Sequence, residues 1–297
     1  MNRQDPLEYI RRHCQSGPVQ PPKDAQARLV KLDGIRAVVF DIYGTLFSSG
    51  VGDISLATEQ DRNHILQETL LGHGIQLLDT GKNERLDLQL YEQIQKHQAV
   101  RRKEGIEYPE VEIRMVWKDF LKNLQEREWI AQENDIDVEI LAVDYETRVN
   151  PTQAMPGLAT ALATLRKSGF VMSIISNAQF FTPFLFPALL GNTHEKLGFS
   201  EQCSIWSYRL LEAKPSTQLY KDSAAQLYKQ YGILPCEVLY VGNDLRNDIW
   251  PAQDIGFKTA LFAGDSRSLR RRENDPNCRM ISADLEITHL EQLAKCI

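Results

Sequence analysis

The run AVVFDIYGTL, residues 37–46, decides the fold class of this chain. Its first four residues are apolar and continuous, which is typical of a short strand buried on both faces of a parallel sheet. The run then turns polar at Asp41, and Gly44 follows where the chain has to double back. Ligands of open parallel sheets bind beyond the carboxyl ends of the strands, so Asp41 is the first candidate for a functional residue.

Similar apolar runs recur along the chain, and segments with helical periodicity separate them. The further strand candidates are residues 171–175, 203–208, 238–241 and 259–262. Helical periods occupy the segments between them, for instance at Leu158, Leu162 and Leu165. Strands that alternate with helices favour βαβ crossovers, so the sequence predicts an α/β fold with a doubly wound parallel sheet.

A long helical segment interrupts this pattern after the first strand. Between about Asp61 and Asn150 the apolar residues follow helical periods, and no convincing strand occurs. We therefore predict an α/β core over residues 36–55 and 150–297, with a helical insert over residues 56–149. Residues 1–35 are predicted to be an N-terminal extension with a short helix over Leu7 to His13.

Composition limits the classes of partner. The 297 residues include 34 Lys+Arg and 40 Asp+Glu, and the net charge of −6 repels nucleic-acid backbones and anionic membranes. The five cysteines form no C-x-x-C pair, and no apolar stretch approaches the length of a membrane-spanning helix. These features predict a cytoplasmic protein that acts on a small molecule, with an oligomeric state that stays open.

Polar side chains follow the other predicted strands as well. Ser176 and Asn177 offer a hydroxyl and an amide to an anion, and Lys214 offers a positive charge. Asp244 and Asp248 add a pair of carboxylates. Carboxylates that converge on one crevice raise each other's pKa unless a cation screens them, and Mg²⁺ is the cation that prefers oxygen ligands. Taken singly, these residues are also compatible with turns, helix caps or surface charge.

Together these segments resemble the four motifs of haloacid dehalogenase-like (HAD) hydrolases. The motifs are FDIYGTL at 40–46, ISN at 175–177, KP at 214–215 and VGNDLRND at 241–248. The resemblance spans about residues 36 to 265 and has the family's order and spacing. It implies a Rossmann-like core with an inserted all-helical cap of the C1 type, in the place where the helical insert is predicted.

The resemblance also implies roles for individual residues. Asp41 becomes the nucleophile, which splits a hard displacement into two easier ones through a covalent intermediate. The implied catalytic residues are Asp41, Tyr43, Ser176 and Lys214. The implied phosphate-binding or substrate-binding residues are Ser176, Asn177, Lys214 and Thr45. The implied Mg²⁺ ligands are Asp41, the backbone carbonyl of Tyr43, Asn243, Asp244 and Asp248.

Two positions depart from the phosphatases of the family. Tyr43 stands where they carry a second aspartate as general acid, and a phenol is a poor proton donor at neutral pH. Halide needs no proton to leave, and the family's dehalogenases carry tyrosine at this place. Those enzymes replace the acidic metal motif by a Ser-Ser-Asn-type sequence, however, whereas Asp244 and Asp248 persist here at phosphatase-like spacing. The second departure is Asn243, which stands where an acidic metal ligand is expected. Asp244 is the alternative ligand, and the register stays open.

Three hypotheses about function follow. The first is a Mg²⁺-dependent phosphatase with an aspartate nucleophile that acts on a small phosphorylated metabolite. The second is a 2-haloacid dehalogenase-type hydrolase, which works through an aspartyl ester without a metal. The third is a catalytically degenerate HAD domain that binds a phosphorylated ligand.

Overall fold

The computed structural model describes residues 5–14, 18–49, 62–131 and 136–297. Its centre is a six-stranded sheet in the order β3-β2-β1-β4-β5-β6, and all neighbouring strands run parallel. The strands are β1 (Ala37–Phe40), β2 (Val171–Ser176), β3 (Ile205–Trp206), β4 (Val238–Gly242), β5 (Lys258–Phe262) and β6 (Leu285–Ile287). This is the doubly wound α/β fold that the sequence predicts, with its topological switch point between β1 and β4.

Strand β1 lies at the middle of the sheet. Phe40 pairs with Ile174 on β2 and with Val241 on β4. All four residues of β1 are buried, which explains why its sequence is continuously apolar and does not alternate. The carboxyl ends of β1, β2 and β4 therefore meet at the centre of one sheet edge.

The described residues also form twelve α-helices. They are α1 (Pro6–His13), α2 (Asn63–Gly72), α3 (Leu86–Lys103), α4 (Ile113–Glu126), α5 (Val138–Val149), α6 (Leu158–Lys167), α7 (Leu185–Leu190), α8 (His194–Leu197), α9 (Ser207–Leu210), α10 (Gln218–Tyr231), α11 (Trp250–Asp254) and α12 (Leu293–Cys296). A single π-helical turn, Leu245–Ile249, precedes α11.

Helices α2–α5 lie between β1 and β2 in the chain, and we call them the cap helices. Helix α4 shows why they pack together, because Val116, Phe120 and Leu124 recur at helical spacing and are all buried. This is the inserted helical cap of the predicted fold class. The predicted boundary at residues 55 and 56 lies outside the described residues.

Two parts of the sheet differ from the prediction. The strand predicted over residues 203–208 is only Ile205–Trp206, because α9 begins at Ser207. Strand β6 was not predicted, since it has three residues and its middle residue, Glu286, is charged. Arg28, in the N-terminal segment, pairs with Glu286 across the sheet edge.

Helix α1 confirms the short helix expected near the N-terminus, and Asp5 caps it by accepting a hydrogen bond from the backbone of Leu7. It packs against cap helix α5 and core helix α7. Among the described residues, none of the helices combines the length and the apolar character needed to cross a bilayer.

Candidate active site

Asp41 follows β1 directly, and its side chain lies in a buried polar cluster. The Ser176 hydroxyl donates to Asp41 Oδ1 at 2.8 Å, and Lys214 Nζ donates to the same oxygen at 2.7 Å. The second oxygen, Oδ2, accepts no hydrogen bond from the residues that the structure describes. Asp41 is 5% exposed, so a carboxylate with one oxygen held and one oxygen free stands in a nearly dry site. This arrangement suits a nucleophile.

Gly44 makes the turn after Asp41 possible. Its φ is +86°, in the left-handed region that favours glycine, and a Cβ built there would lie 2.6 Å from Asn243 Nδ2. Any side chain at this position would therefore push the loop after β1 away from the loop after β4. The close approach of these two loops brings motifs one and four of the sequence together.

Lys214 bridges two carboxylates. Its Nζ lies 2.7 Å from Asp41 Oδ1 and 2.6 Å from Asp248 Oδ1. Burial alone lowers the pKa of Lys214, but the charges on Asp248 and Asp41 outweigh burial and raise that pKa above its ordinary value. Lys214 is therefore a permanent ammonium at working pH, and its charge is shared between both acids.

Asp248 has a hydrogen-bond donor for each of its lone pairs. Oδ1 accepts from Lys214 and from the Tyr240 hydroxyl at 3.0 Å, and Oδ2 accepts from the backbone N–H groups of Asn243 and Asp244, each at 2.9 Å. A carboxylate offers about four lone-pair sites, so this set uses them all. Burial raises the pKa of Asp248, and the ammonium of Lys214 opposes that rise.

Asp244 pairs with a different cation, Arg272. Arg272 Nε lies 3.1 Å from Asp244 Oδ1 and 3.2 Å from Oδ2, and Oδ1 also accepts from the backbone of Arg246 and of Asn247. Asp244 is thus the N-cap of the turn after β4 and the partner of an arginine. The sequence predicts that Asp244 is a metal ligand, and that role stays a prediction; the contacts of its carboxylate are with Arg272 and with the backbone of the turn.

Asn243 is engaged through both ends of its amide. Nδ2 donates to the Ser268 carbonyl at 2.6 Å, and Oδ1 accepts from the Thr45 hydroxyl at 3.1 Å. Thr45, which the sequence placed among the phosphate-binding residues, therefore ties the loop after β1 to the loop after β4. Asn177 has a similar part, because its Oδ1 accepts from the backbone N–H of Lys214 at 2.8 Å and so orients the lysine.

These contacts do not fit a resident Mg²⁺. The ion needs several oxygen ligands in near-octahedral geometry. The lone pairs of Asp248 are filled, Asp244 is held by Arg272, and the amide of Asn243 is used at both ends. The described residues hold no group of three or more His, Cys, Asp or Glu side chains that would bind a metal. The ammonium of Lys214 already occupies the space between Asp41 and Asp248.

Tyr43 lies at the junction of core and cap. Its hydroxyl is 3.1 Å from the Thr182 hydroxyl, and it lines a small cavity together with Glu146 of α5. Burial raises the pKa of the Tyr43 phenol well above its ordinary value, and the charge on Glu146 acts in the same direction. A phenol with so high a pKa does not serve as a general acid near neutral pH.

A family model for haloacid dehalogenase-like hydrolases matches residues 35–256. The chain belongs to the haloacid dehalogenase-like hydrolase family. The resemblance seen in the sequence is thereby confirmed, and hydrolase is the enzyme class. A comparison with curated proteins finds no match.

Solved structures of a dehalogenase and of a phosphatase share the fold. A 2-haloacid dehalogenase from Pseudomonas syringae pv. tomato DC3000 is 17% identical with a TM-score of 0.56, over 88% of this chain and 97% of that one. A HAD phosphatase from Thermococcus onnurineus is 19% identical with a TM-score of 0.50, again over 88% and 97%. Because a dehalogenase and a phosphatase both match, the likeness shows the HAD fold and leaves the reaction to the site itself.

The sequence analysis did not identify several polar residues in and around the candidate site. Tyr240 had a signal, since it is a polar residue in the buried run of β4, and its hydroxyl also donates to the Ile175 carbonyl at 3.1 Å. Arg272 had none, because it sits in a basic stretch outside any predicted element. Arg62 was also missed, and its Nη2 is buried without a hydrogen-bond partner among the described residues.

Proposed function

We propose that this HAD protein is a metal-independent hydrolase of the 2-haloacid dehalogenase type, with Asp41 as nucleophile. The observation that carries the proposal is the position of Lys214 between Asp41 and Asp248, at 2.7 Å and 2.6 Å. The lysine ammonium there supplies a positive charge to both carboxylates and uses one oxygen of each. The free oxygen of Asp41 then needs only a carbon centre with a good leaving group.

The reaction has two steps that balance with one water. Asp41 Oδ2 attacks the carbon that carries the halogen, the carbon–halogen bond breaks, and the electron pair leaves with the halide. Water then adds to the acyl carbon of the aspartyl ester, the bond from that carbon to the ester oxygen breaks, and the hydroxy acid and one proton are released. Ser176 and Lys214 hold Asp41 Oδ1 through both steps, so the ester carbonyl oxygen has two donors.

The leaving group favours a halide over an alkoxide. An alkoxide must be protonated as it departs, and general acid catalysis is worth about 10²–10⁴ in rate. Tyr43 occupies the place of the phosphatase acid, and burial makes its phenol a weaker acid than a free one. A halide departs without a proton, so the missing acid carries no penalty.

Charge also disfavours a phosphate monoester. Asp41 and Asp248 contribute two negative charges and Lys214 one positive charge, so this buried group carries a net charge of −1. A dianionic phosphate placed against it is repelled unless another cation balances it. The carbon attacked in a 2-haloacid is neutral, and its carboxylate lies at the other end of the substrate.

Arg62 is our candidate for binding that carboxylate. Burial raises the pKa of Glu146, which lines the same cavity as Tyr43, and the positive charge of Arg62 opposes that rise. Arg62 Nη2 is buried without a hydrogen-bond partner in the described part of the chain. A buried guanidinium nitrogen without an acceptor is costly, and a substrate carboxylate supplies one.

The test is halide release from short 2-haloacids such as 2-chloropropionate, measured with a chelator and with added Mg²⁺. We expect release at the same rate in both conditions, no release by Asp41→Asn, and a mass increase on the peptide that contains Asp41 after rapid quenching. A short-chain acid without halogen serves as the blank substrate.

The other two hypotheses give different results in the same assay. A Mg²⁺-dependent phosphatase acting on small phosphorylated metabolites releases phosphate from an aryl phosphate, and a chelator abolishes that release. A degenerate phospho-ligand-binding domain hydrolyses neither substrate, while a phosphorylated ligand raises its melting temperature. Either result, without halide release, refutes the proposal.

A further inference from the structure

The crevice between cap and core has a third wall, which the N-terminal segment provides. The cavity beside Tyr43 is lined by Phe181 of the core, by Glu146 of cap helix α5, and by Ile10 and Cys14 of the α1 segment. Tyr43 is two residues from the nucleophile Asp41, so this cavity adjoins the loop that carries the reaction. A segment outside the core and the cap of the fold thus lines a cavity next to the loop that carries Asp41.

Helix α1 is held in this position from both sides. On the cap side, the ring of Tyr9 stacks on that of His73 with centroids 5.7 Å apart, and His13 Nε2 lies 3.3 Å from Asp144 Oδ1. On the core side, the Thr152 hydroxyl donates to Cys14 Sγ at 3.4 Å. These contacts fix α1 across the junction, so that its buried face has a defined position opposite Tyr43.

The space that α1 leaves beside Tyr43 is small. The cavity volume is about 10 Å³, which is the room that a single water molecule needs. Ile10 is 1% exposed and points its apolar side chain into this closed region. A carbon chain that extends into this cavity meets Ile10, because Ile10 lines the cavity and its volume leaves room for no more than one water molecule.

We propose that α1 determines the size of the substrate and that Ile10 is the residue that sets the limit. Ile10 closes the end of the crevice beside Tyr43 and restricts the enzyme to acids with a short carbon chain. This inference rests on the proposed function for the identity of the substrate, and on the cavity itself for the position of the wall.

The test compares wild type and Ile10→Ala on 2-chloro acids of increasing chain length, from chloroacetate to 2-chlorohexanoate. We expect kcat/KM to fall with chain length in the wild type. In Ile10→Ala the ratio of kcat/KM for the longest acid to that for the shortest rises by about tenfold or more, because one methylene in an apolar pocket discriminates by roughly 10–200-fold. Glu8→Ala, an exposed change on the same helix, leaves the ratio unchanged.

Further outcomes separate this inference from the proposed function. An unchanged chain-length profile in folded Ile10→Ala overturns the inference. If Ile10→Ala does not fold, Ile10→Val removes a single methyl group and is expected to shift the profile in the same direction by a smaller factor. If the wild type releases no halide, the function fails. The wall is then tested by calorimetry with unreactive acids from acetate to hexanoate: tighter binding of the longer acids by Ile10→Ala supports it, and equal affinities or no binding by either protein overturn it.

Discussion

Replacing Lys214 by methionine tests the charge balance of the site directly. Methionine keeps most of the length of the side chain but leaves Asp41 and Asp248 buried next to each other without a cation. Removing one partner from a buried ion pair costs about 3–5 kcal/mol, because the remaining charge is uncompensated. We expect Lys214→Met to lower the free energy of unfolding by an amount in this range and to abolish turnover.

The loss is expected to depend on pH in a defined direction. In the wild type the folded pKa of Lys214 lies above its unfolded value of 10.5, so its stabilisation is fully present below that value and is lost only as the pH rises through the folded pKa. In Lys214→Met burial and the charge on Asp41 still raise the pKa of Asp248, and the ammonium that opposed this rise is gone, so the folded state binds more protons than the unfolded state. The variant therefore loses stability as the pH rises, and its deficit is larger at about pH 8 than at about pH 5.

Urea denaturation of both proteins at these two pH values measures the deficit. The double variant Lys214→Met/Asp248→Asn removes one of the unpaired charges, and we expect it to recover part of the stability at the higher pH. Lys167→Met is the matched control, since Lys167 is exposed and its change is expected within about 0.5 kcal/mol. A deficit that is the same at both pH values, or no larger than that of the control, refutes the charge argument.

Three further predictions concern the loops and the acids. Gly44→Ala should lower the melting temperature more than Gly74→Ala, because both residues have positive φ but only a Cβ at position 44 meets neighbouring atoms; equal losses contradict the close approach. Asp244→Asn should retain catalytic activity, whereas Asp248→Asn should lose it. If steady-state kinetics find the same loss of kcat in both variants, Asp244 takes part in catalysis. Burial raises the pKa of Glu201, but hydrogen bonds from His194 and Arg209 outweigh burial and lower that pKa to about 2. The stability that Glu201→Gln removes is therefore present above the unfolded pKa of 4.5 and is lost as the pH falls towards 2. Chemical denaturation that finds the same loss of stability at both ends of this pH range contradicts the prediction.

The fold could be predicted because its information is local. Strand β1 is a buried apolar run, and its burial on both faces is visible in four residues. The helical cap is visible because its apolar residues repeat at helical spacing over several turns. Strands β3 and β6 were harder, since two or three residues carry no period and their place depends on neighbouring strands.

The candidate site could be predicted only in part, because its decisive facts are pairings between distant residues. The sequence brought Asp41, Ser176, Lys214 and Asp248 to one edge of the sheet, and the structure joins them by hydrogen bonds. It could not show that Asp244 turns to Arg272, since 28 residues separate them and no motif marks the arginine. The same holds for α1, whose contact with the cap through His13 and Asp144 joins residues more than 100 positions apart.

The two departures from the phosphatase pattern, at Asn243 and Tyr43, and the pairing of Asp244 with Arg272 support one another when their contacts are compared. Asn243 replaces a charged ligand with an amide whose two ends are satisfied by Ser268 and Thr45. The remaining acid of that loop, Asp244, is neutralised by Arg272. Tyr43 replaces the general acid with a phenol whose pKa burial raises. Each change removes something that phosphate ester hydrolysis requires, and none disturbs the clamp of Ser176 and Lys214 on Asp41. These contacts support the proposed displacement at carbon, in which Asp41 is the nucleophile and the leaving group needs neither a metal ion nor a proton.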